Sequence, residues 1–237
     1  MLKKNSCMNA IILAAGLGSR FKEMTKLKHK SLFEINGVPN IERTIKYLQE
    51  AEIKDIYIVV GYLKEQFYYL KEKYGCHLIH NNKYKEYNNV YSFYLASEYF
   101  SNSYVIDADV VLFRNIFLES LTNSTYFTIL RNKSDDLEWN PILDKAVVKD
   151  IIVSNKHIPS LLGISFWRES DAKVILSTLK EYINENIFID PRLYWDNIPM
   201  KLLDKLNVSA KEISIYDGYE IDKLEDFNFL LNNILRV

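Results

Sequence analysis

Two short stretches carry residues whose types and spacing could handle phosphate. The first is Ala14-Ala15-Gly16-Leu17-Gly18-Ser19-Arg20, directly after the apolar run Ala10 to Ala14. Glycines at such a place let the backbone turn tightly and bring N–H groups close to an anion. Ser19, Arg20, Lys22 and, ten residues past Arg20, Lys30 add a hydroxyl and three cations, so the segment reads as a phosphate cradle rather than an ordinary β–α turn. It is not a dinucleotide fingerprint, because Phe21 stands where the third glycine is needed, and not a P-loop, because no Gly-Lys-Ser/Thr follows. The second stretch is Asp107-Ala108-Asp109, which ends the apolar run Tyr104 to Ile106. With one residue between them the two carboxylates point to the same side if the strand continues. Such oxygens suit Mg²⁺, which binds through one or two carboxylates plus substrate phosphates.

Both stretches need a frame. Ala10 to Ala14 reads as a buried strand, and Asn40 to Ala51 as an amphipathic helix with Ile41, Ile45 and Leu48 on one face. The unit then recurs: strand Ile56 to Val60, helix Leu63 to Tyr74, strand Leu78 to His80, helix Val90 to Phe100 and strand Tyr104 to Ile106. Strands alternating with helices predict an α/β fold, Rossmann-like, with a mostly parallel mixed sheet flanked by helices and ligands at the carboxyl ends of the strands. Later strands are expected at Tyr126 to Leu130, Val147 to Val153 and Gly163 to Trp167, and helices at Ser170 to Asn184, Met200 to Leu206 and Leu224 to Leu235. No linker or repeat interrupts the chain, so one domain is expected over 1–237, whose later part supplies substrate contacts.

Bulk properties exclude other classes. The 237 residues can bury a full enzyme core. Thirty Lys and Arg against 31 Asp and Glu leave a net charge of −1, too little for a general attraction to nucleic acid or an anionic membrane. Cys7 and Cys76 have neither metal-ligand spacing nor disulfide density, and His29, His77, His80 and His157 show no metal spacing. Lys3 and Lys4 before an apolar run suggest a signal peptide, but the run is short and leads into Gly16, Gly18 and Arg20. The expectation is a cytoplasmic protein, and a homodimer stays open.

These motifs resemble the nucleotidyltransferases that activate phosphate monoesters with a nucleoside triphosphate, whose opening reads A-A-G-x-G-[ST]-R followed by a lysine before a small residue and leucine. Ala14 to Arg20 and His29-Lys30-Ser31-Leu32 carry that pattern. Within the family the chain is similar to the bacterial phosphocholine cytidylyltransferases along nearly its whole length, at Val60 to Phe67, Tyr87 to Ser92, Tyr104 to Asp109, Leu193 to Asp196 and Tyr219 to Asp222.

The resemblance implies transfer of CMP from CTP to phosphocholine with Mg²⁺, in service of cell-surface glycan synthesis. Arg20 and Lys30 would be catalytic, Arg20 and Lys22 neutralising the β and γ phosphates and Lys30 the α-phosphate. Leu13, Ala14, Ala15, Gly16, Gly18, Ser19 and Lys22 would hold the nucleotide, with Asn89 and Ser92 reading the base. Asp107, Asp109, Glu220 and Asp222 would hold the metal, although Val110 follows Asp109 where the family often has asparagine. Glu138, Trp139, Tyr194, Trp195 and Asp196 would bind the acceptor, because aromatic faces attract a quaternary ammonium. The alternatives are the same chemistry on phosphoethanolamine, an aminophosphonate, phosphoglutamine or a sugar 1-phosphate, or a non-catalytic nucleotide sensor. A dinucleotide-dependent oxidoreductase is disfavoured by the missing glycine.

Overall fold

The computed structural model describes residues 7–21 and 23–234. Lys22, expected at the β and γ phosphates, lies outside the described residues, as do residues 1–6 and 235–237. The chain runs β1 (Asn9–Ala14), a 3₁₀ turn at Ser19–Phe21, α1 (Met24–Leu27), β2 (Glu34–Ile35), β3 (Val38–Pro39), α2 (Asn40–Glu50), β4 (Asp55–Val60), α3 (Tyr69–Tyr74), β5 (His77–His80), α4 (Asn89–Ala96) and β6 (Ser103–Asp107). It continues with β7 (Val110–Leu112), β8 (Ser124–Ile129), β9 (Glu138–Asp144), β10 (Val147–Ser154), β11 (Ser160–Trp167), α5 (Glu169–Tyr182), α6 (Glu185–Ile189), α7 (Asn197–Met200), β12 (Val208–Ile213), β13 (Gly218–Glu220) and α8 (Leu224–Phe229).

A nine-stranded sheet is ordered β5-β4-β1-β6-β11-β8-β12-β10-β9. β5, β4, β1 and β6 are mutually parallel, as the alternating pattern predicts. β11 then runs antiparallel to both β6 and β8. β12 lies parallel to β8, and β10 pairs antiparallel with β12 and β9. The second half departs from a parallel pattern because β9 and β10 form a hairpin, closed by Lys145 and Ala146, both at positive φ as a tight primed turn requires.

β1 lies between two parallel partners and has helices over both faces, which is why its sequence is continuously apolar. Ala10, Ile12 and Ala14 face one core with Ile41, Ile45 and Leu48 of α2. Ile11 and Leu13 face the other with Val90, Phe93 and Ala96 of α4 and with Trp167 and Trp195. Three expected helices differ in detail. A 3₁₀ turn at Lys64–Phe67 precedes α3, another at Ser97–Tyr99 ends α4, and 201–206 is a series of turns whose Leu202, Leu203 and Leu206 are buried.

The register brings the glycine turn and the Asp107-Ala108-Asp109 stretch together. Leu13 pairs with Asp107, and the Ala108 N–H donates to the Leu13 carbonyl at 3.2 Å. β6 ends there, and the chain turns through Ala108 and Asp109 into β7. β7 pairs antiparallel with β13, placing Glu220 opposite Val110.

Candidate active site

The carboxyl ends of β1 and β6 open into a cleft of about 830 Å³. The loop after β1 forms one wall through Leu13, Ala14, Ala15 and Gly16, with Arg20 and Lys30 beside it. Gly18 and Ser19 lie at the outer turn of that loop. Gly18, at φ +61°, packs so closely that a Cβ would sit 3.1 Å from Thr25 and 3.4 Å from the Lys30 stem. The turn that sequence reasoning assigned to the nucleotide therefore also cradles the lysine.

His29 braces the other side of the loop. The Ser31 N–H donates to its Nδ1 at 3.2 Å, which leaves Nε2 carrying the ring proton and donating to the Gly16 carbonyl at 3.1 Å. Burial, with help from the charge of Lys30 and against the Gly16 contact, pushes the imidazole pKa down to about 4. Gln66 accepts from the His29 N–H at 2.9 Å and donates to the Leu27 carbonyl at 2.7 Å, fixing the segment that delivers Lys30. Burial lowers the Lys30 ammonium pKa, but its ion pair with Asp109 more than offsets that and leaves it raised.

Carboxylate oxygens of Asp109, Glu220 and Asp222 all lie within 4.8 Å of one another. The Ile221 N–H, between the last two, donates to the Asp109 carbonyl at 3.1 Å and ties both arms together. Asp107 is outside this group, contrary to the expectation that it would share a face with Asp109. The strand stops at Asp107, the turn at Ala108 breaks the period of two, and the Asp107 side chain lies against Gly163 of β11. Burial, then the negative charges of Asp109 and Asp196, hold Asp107 well above the ordinary carboxylate range.

Burial and mutual repulsion also raise Glu220 and Asp222, against the pull of Arg131 on Glu220 and of Lys30 and Arg20 on Asp222. Arg20 pairs with Asp222 at 3.0 Å, and Arg131 pairs with Glu220 and, at 3.1 Å, with Glu138. One oxygen of Asp109 holds Lys30 while the other, Oδ1, is buried without a partner. An unpartnered buried carboxylate oxygen beside two further carboxylates that resist ionisation is a donor set suited to a hard divalent cation.

In the same cleft Trp139 and Tyr194 meet edge to face, ring centroids 5.7 Å apart, with Asp196 half-buried among the lining residues. Burial raises the Asp196 pKa to about 7, against the influence of the Tyr126 hydroxyl. Trp195 departs from the expected aromatic trio. It is 2 % exposed, with its ring packed on Phe93 at 4.7 Å and on Trp167 and Phe100 in the core, so it supports the wall rather than presenting a face. Glu138 lines the cleft, engaged with Arg131. Asn89 and Ser92 line it from α4. The sequence assigns no role to Arg131, which no local motif marks, or to His29, which enters only as the residue before Lys30.

Fold and site together define a nucleotidyltransferase: a glycine turn held over a half-buried lysine, faced by a carboxylate group at the ends of parallel strands. A family model described as the MobA-like NTP transferase domain matches residues 10–164. The chain belongs to that family. The choline-phosphate cytidylyltransferase of Haemophilus influenzae is 52% identical over 228 residues, covering 96% of this chain and 97% of that protein. The choline-phosphate cytidylyltransferase of Streptococcus pneumoniae is 47% identical over 224 residues, covering 94% and 96%. A solved structure of the CTP:phosphocholine cytidylyltransferase from Streptococcus pneumoniae superimposes with a TM-score of 0.87 at 46% identity, over 94% of this chain and 97% of the other.

Proposed function

We propose that this enzyme transfers CMP from CTP to phosphocholine, releasing pyrophosphate and forming CDP-choline. The observation that carries the reading is the meeting of Trp139 and Tyr194 in one cleft with Asp196, the glycine loop and Lys30. Two aromatic rings with a carboxylate suit a trimethylammonium head, each ring face contributing about 0.5–2 kcal/mol. The first 120 residues hold most of the nucleotide contacts and the remainder the acceptor, with Glu220 and Asp222 crossing over to the phosphates.

In the proposed reaction an oxygen of the acceptor phosphate forms a bond to the α-phosphorus of CTP. The bond from that phosphorus to the β-bridging oxygen breaks, and pyrophosphate leaves with the electron pair. The acceptor phosphate is already an anion near neutral pH, so the chain needs no general base. Lys30 neutralises charge growing on the α-phosphate, and Arg20, at the cleft mouth, meets the departing phosphates. Asp109, Glu220 and Asp222 would hold Mg²⁺, which when bound supplies charge neutralisation at the phosphates. The loop residues and Trp139 orient the two substrates for in-line attack. Among the described residues no helix is long and apolar enough to cross a membrane, and the free thiols Cys7 and Cys76 support a reducing, cytoplasmic setting.

Pyrophosphate release from the purified protein with Mg²⁺ tests this, running CTP against other nucleoside triphosphates and phosphocholine against phosphoethanolamine, 2-aminoethylphosphonate and sugar 1-phosphates. Release with CTP and phosphocholine alone is the expected result. Release with CTP and a different acceptor would discard the choline site.

A further inference from the structure

Behind the cleft wall formed by α4 lies a buried amide that no part of the reaction described so far uses. Asn81 directly follows β5 and is 2 % exposed, and Ser92 is 4 % exposed where it lines the cleft. The Lys83 N–H donates to Asn81 Oδ1 at 2.8 Å. A backbone N–H can only give a proton, so the oxygen of the amide is held toward Lys83 and the nitrogen is turned toward Ser92. Asn81 Nδ2 accordingly donates to Ser92 Oγ at 3.0 Å.

A hydroxyl has one proton to give and lone pairs to receive. The Ser92 oxygen receives from Asn81, and among the described residues no acceptor takes the Ser92 proton. That proton is therefore free to point into the cleft. Asn89, on the same helix, has the matching polarity. Its Oδ1 accepts the Trp195 N–H at 2.8 Å, which leaves its Nδ2 as the free end. Both side chains thus present hydrogen-bond donors.

We infer that Asn81 is a positioning residue that fixes the Ser92 hydroxyl as a donor and thereby selects cytosine over uracil. Cytosine offers two adjacent acceptors, O2 and an unprotonated N3, whereas N3 of uracil carries a proton and would meet the Ser92 proton head on. The inference rests on reading Asn89 and Ser92 as the residues that face the base. It adds that the discrimination is set one layer back, by the direction of an amide that touches no substrate.

Asn81→Asp tests the polarity directly. The substitution keeps an oxygen for the Lys83 N–H and replaces the Nδ2 donor by an oxygen that can only accept, so the Ser92 proton turns back and the hydroxyl shows the base a lone pair. The ratio of kcat/KM for CTP to that for UTP is expected to fall at least tenfold, with kcat/KM for UTP holding or rising. Asn81→Ala, which releases the hydroxyl to rotate, is expected to give an intermediate ratio, and it decides the matter where Asn81→Asp does not fold by thermal melt. A loss of packing alone would lower both nucleotides together and leave the ratio unchanged.

Ser92→Ala separates the two readings. If Ser92→Ala changes the ratio while the folded Asn81 variants keep the wild-type value, the positioning role is overturned and the base site stands. If neither Ser92→Ala nor Asn89→Ala alters the ratio, the base lies elsewhere and the inference falls with that reading.

Discussion

Gly61, immediately after β4, gives a perturbation whose size can be worked from the structure. A Cβ at this position would lie 2.7 Å from the Cβ of Tyr84 and 2.8 Å from the Ala15 carbonyl oxygen, which also accepts the Tyr62 N–H at 3.1 Å. Neither neighbour is the far end of a flexible side chain. For Gly61→Ala to regain an ordinary contact of 3.4 Å, the Ala15 carbonyl must withdraw from 2.8 Å, by about 0.6 Å. Overpacking of this kind costs about 1–3 kcal/mol. At about 2–4 °C per kcal/mol for a chain of this size, Tm should fall by roughly 2–12 °C. Ala15 leads into the glycine loop proposed to hold the nucleotide, and a shift of about 1 Å in a positioning element can cost 10²-fold, so kcat/KM for CTP should fall about tenfold. Thermal melts and pyrophosphate-coupled initial rates read both effects. Gly16→Ala is the contrast, because nothing lies within 4 Å of its Cβ position although the residue lines the cleft. Its Tm should stay unchanged while CTP use declines. Wild-type Tm and wild-type kcat/KM in Gly61→Ala would refute the steric reasoning.

Two further outcomes are expected. Lys30→Ala should lower single-turnover CMP transfer by about 10²–10³ while the fold survives, because one preorganised cation is lost where transition-state charge develops; a near-normal rate would remove Lys30 from the chemistry. His29, held neutral with a pKa of about 4 against 6.5 in an unfolded chain, takes up a proton on unfolding between those values. Its contribution to stability is complete above pH 6.5 and is lost as pH falls toward 4, by about 3 kcal/mol in total. Urea midpoints across that range should drop more steeply in the wild type than in His29→Gln, and parallel curves would show that the imidazole is not held neutral.

What could be seen in the sequence was local. The continuous apolar run of β1 and the stripe of Ile41, Ile45 and Leu48 on α2 declare themselves, because burial on two faces and on one face leave different periodicities. The glycine turn and Lys30 share one short stretch, so their spacing also shows. The turn at Ala108 did not, since nothing in Asp-Ala-Asp says where β6 stops. The β9–β10 hairpin was hidden because Lys145 and Ala146 adopt positive φ without the glycine or asparagine that normally advertises it. Trp195 and Tyr194 are neighbours in the chain, yet one is buried and the other is 42% exposed, a difference decided by Phe93 and Trp167 packing from distant elements. The partners of Arg131, His29 and Asn81 include Glu220, Gly16 and Ser92, each more than ten residues away in the chain, so no local spacing announces those contacts.

The pairing of β7 with β13 has a consequence for the order in which the molecule is made. Asp109 emerges from the ribosome more than a hundred residues before Glu220 and Asp222, and only β13 and the two residues after it bring those carboxylates to it. A nascent chain that has reached β11 already contains β5, β4, β1 and β6, the glycine turn and Lys30. It still owns a single carboxylate of the three. The three-carboxylate group is thus completed only at the end of synthesis, and a prematurely terminated chain carries the glycine turn and Lys30 without it.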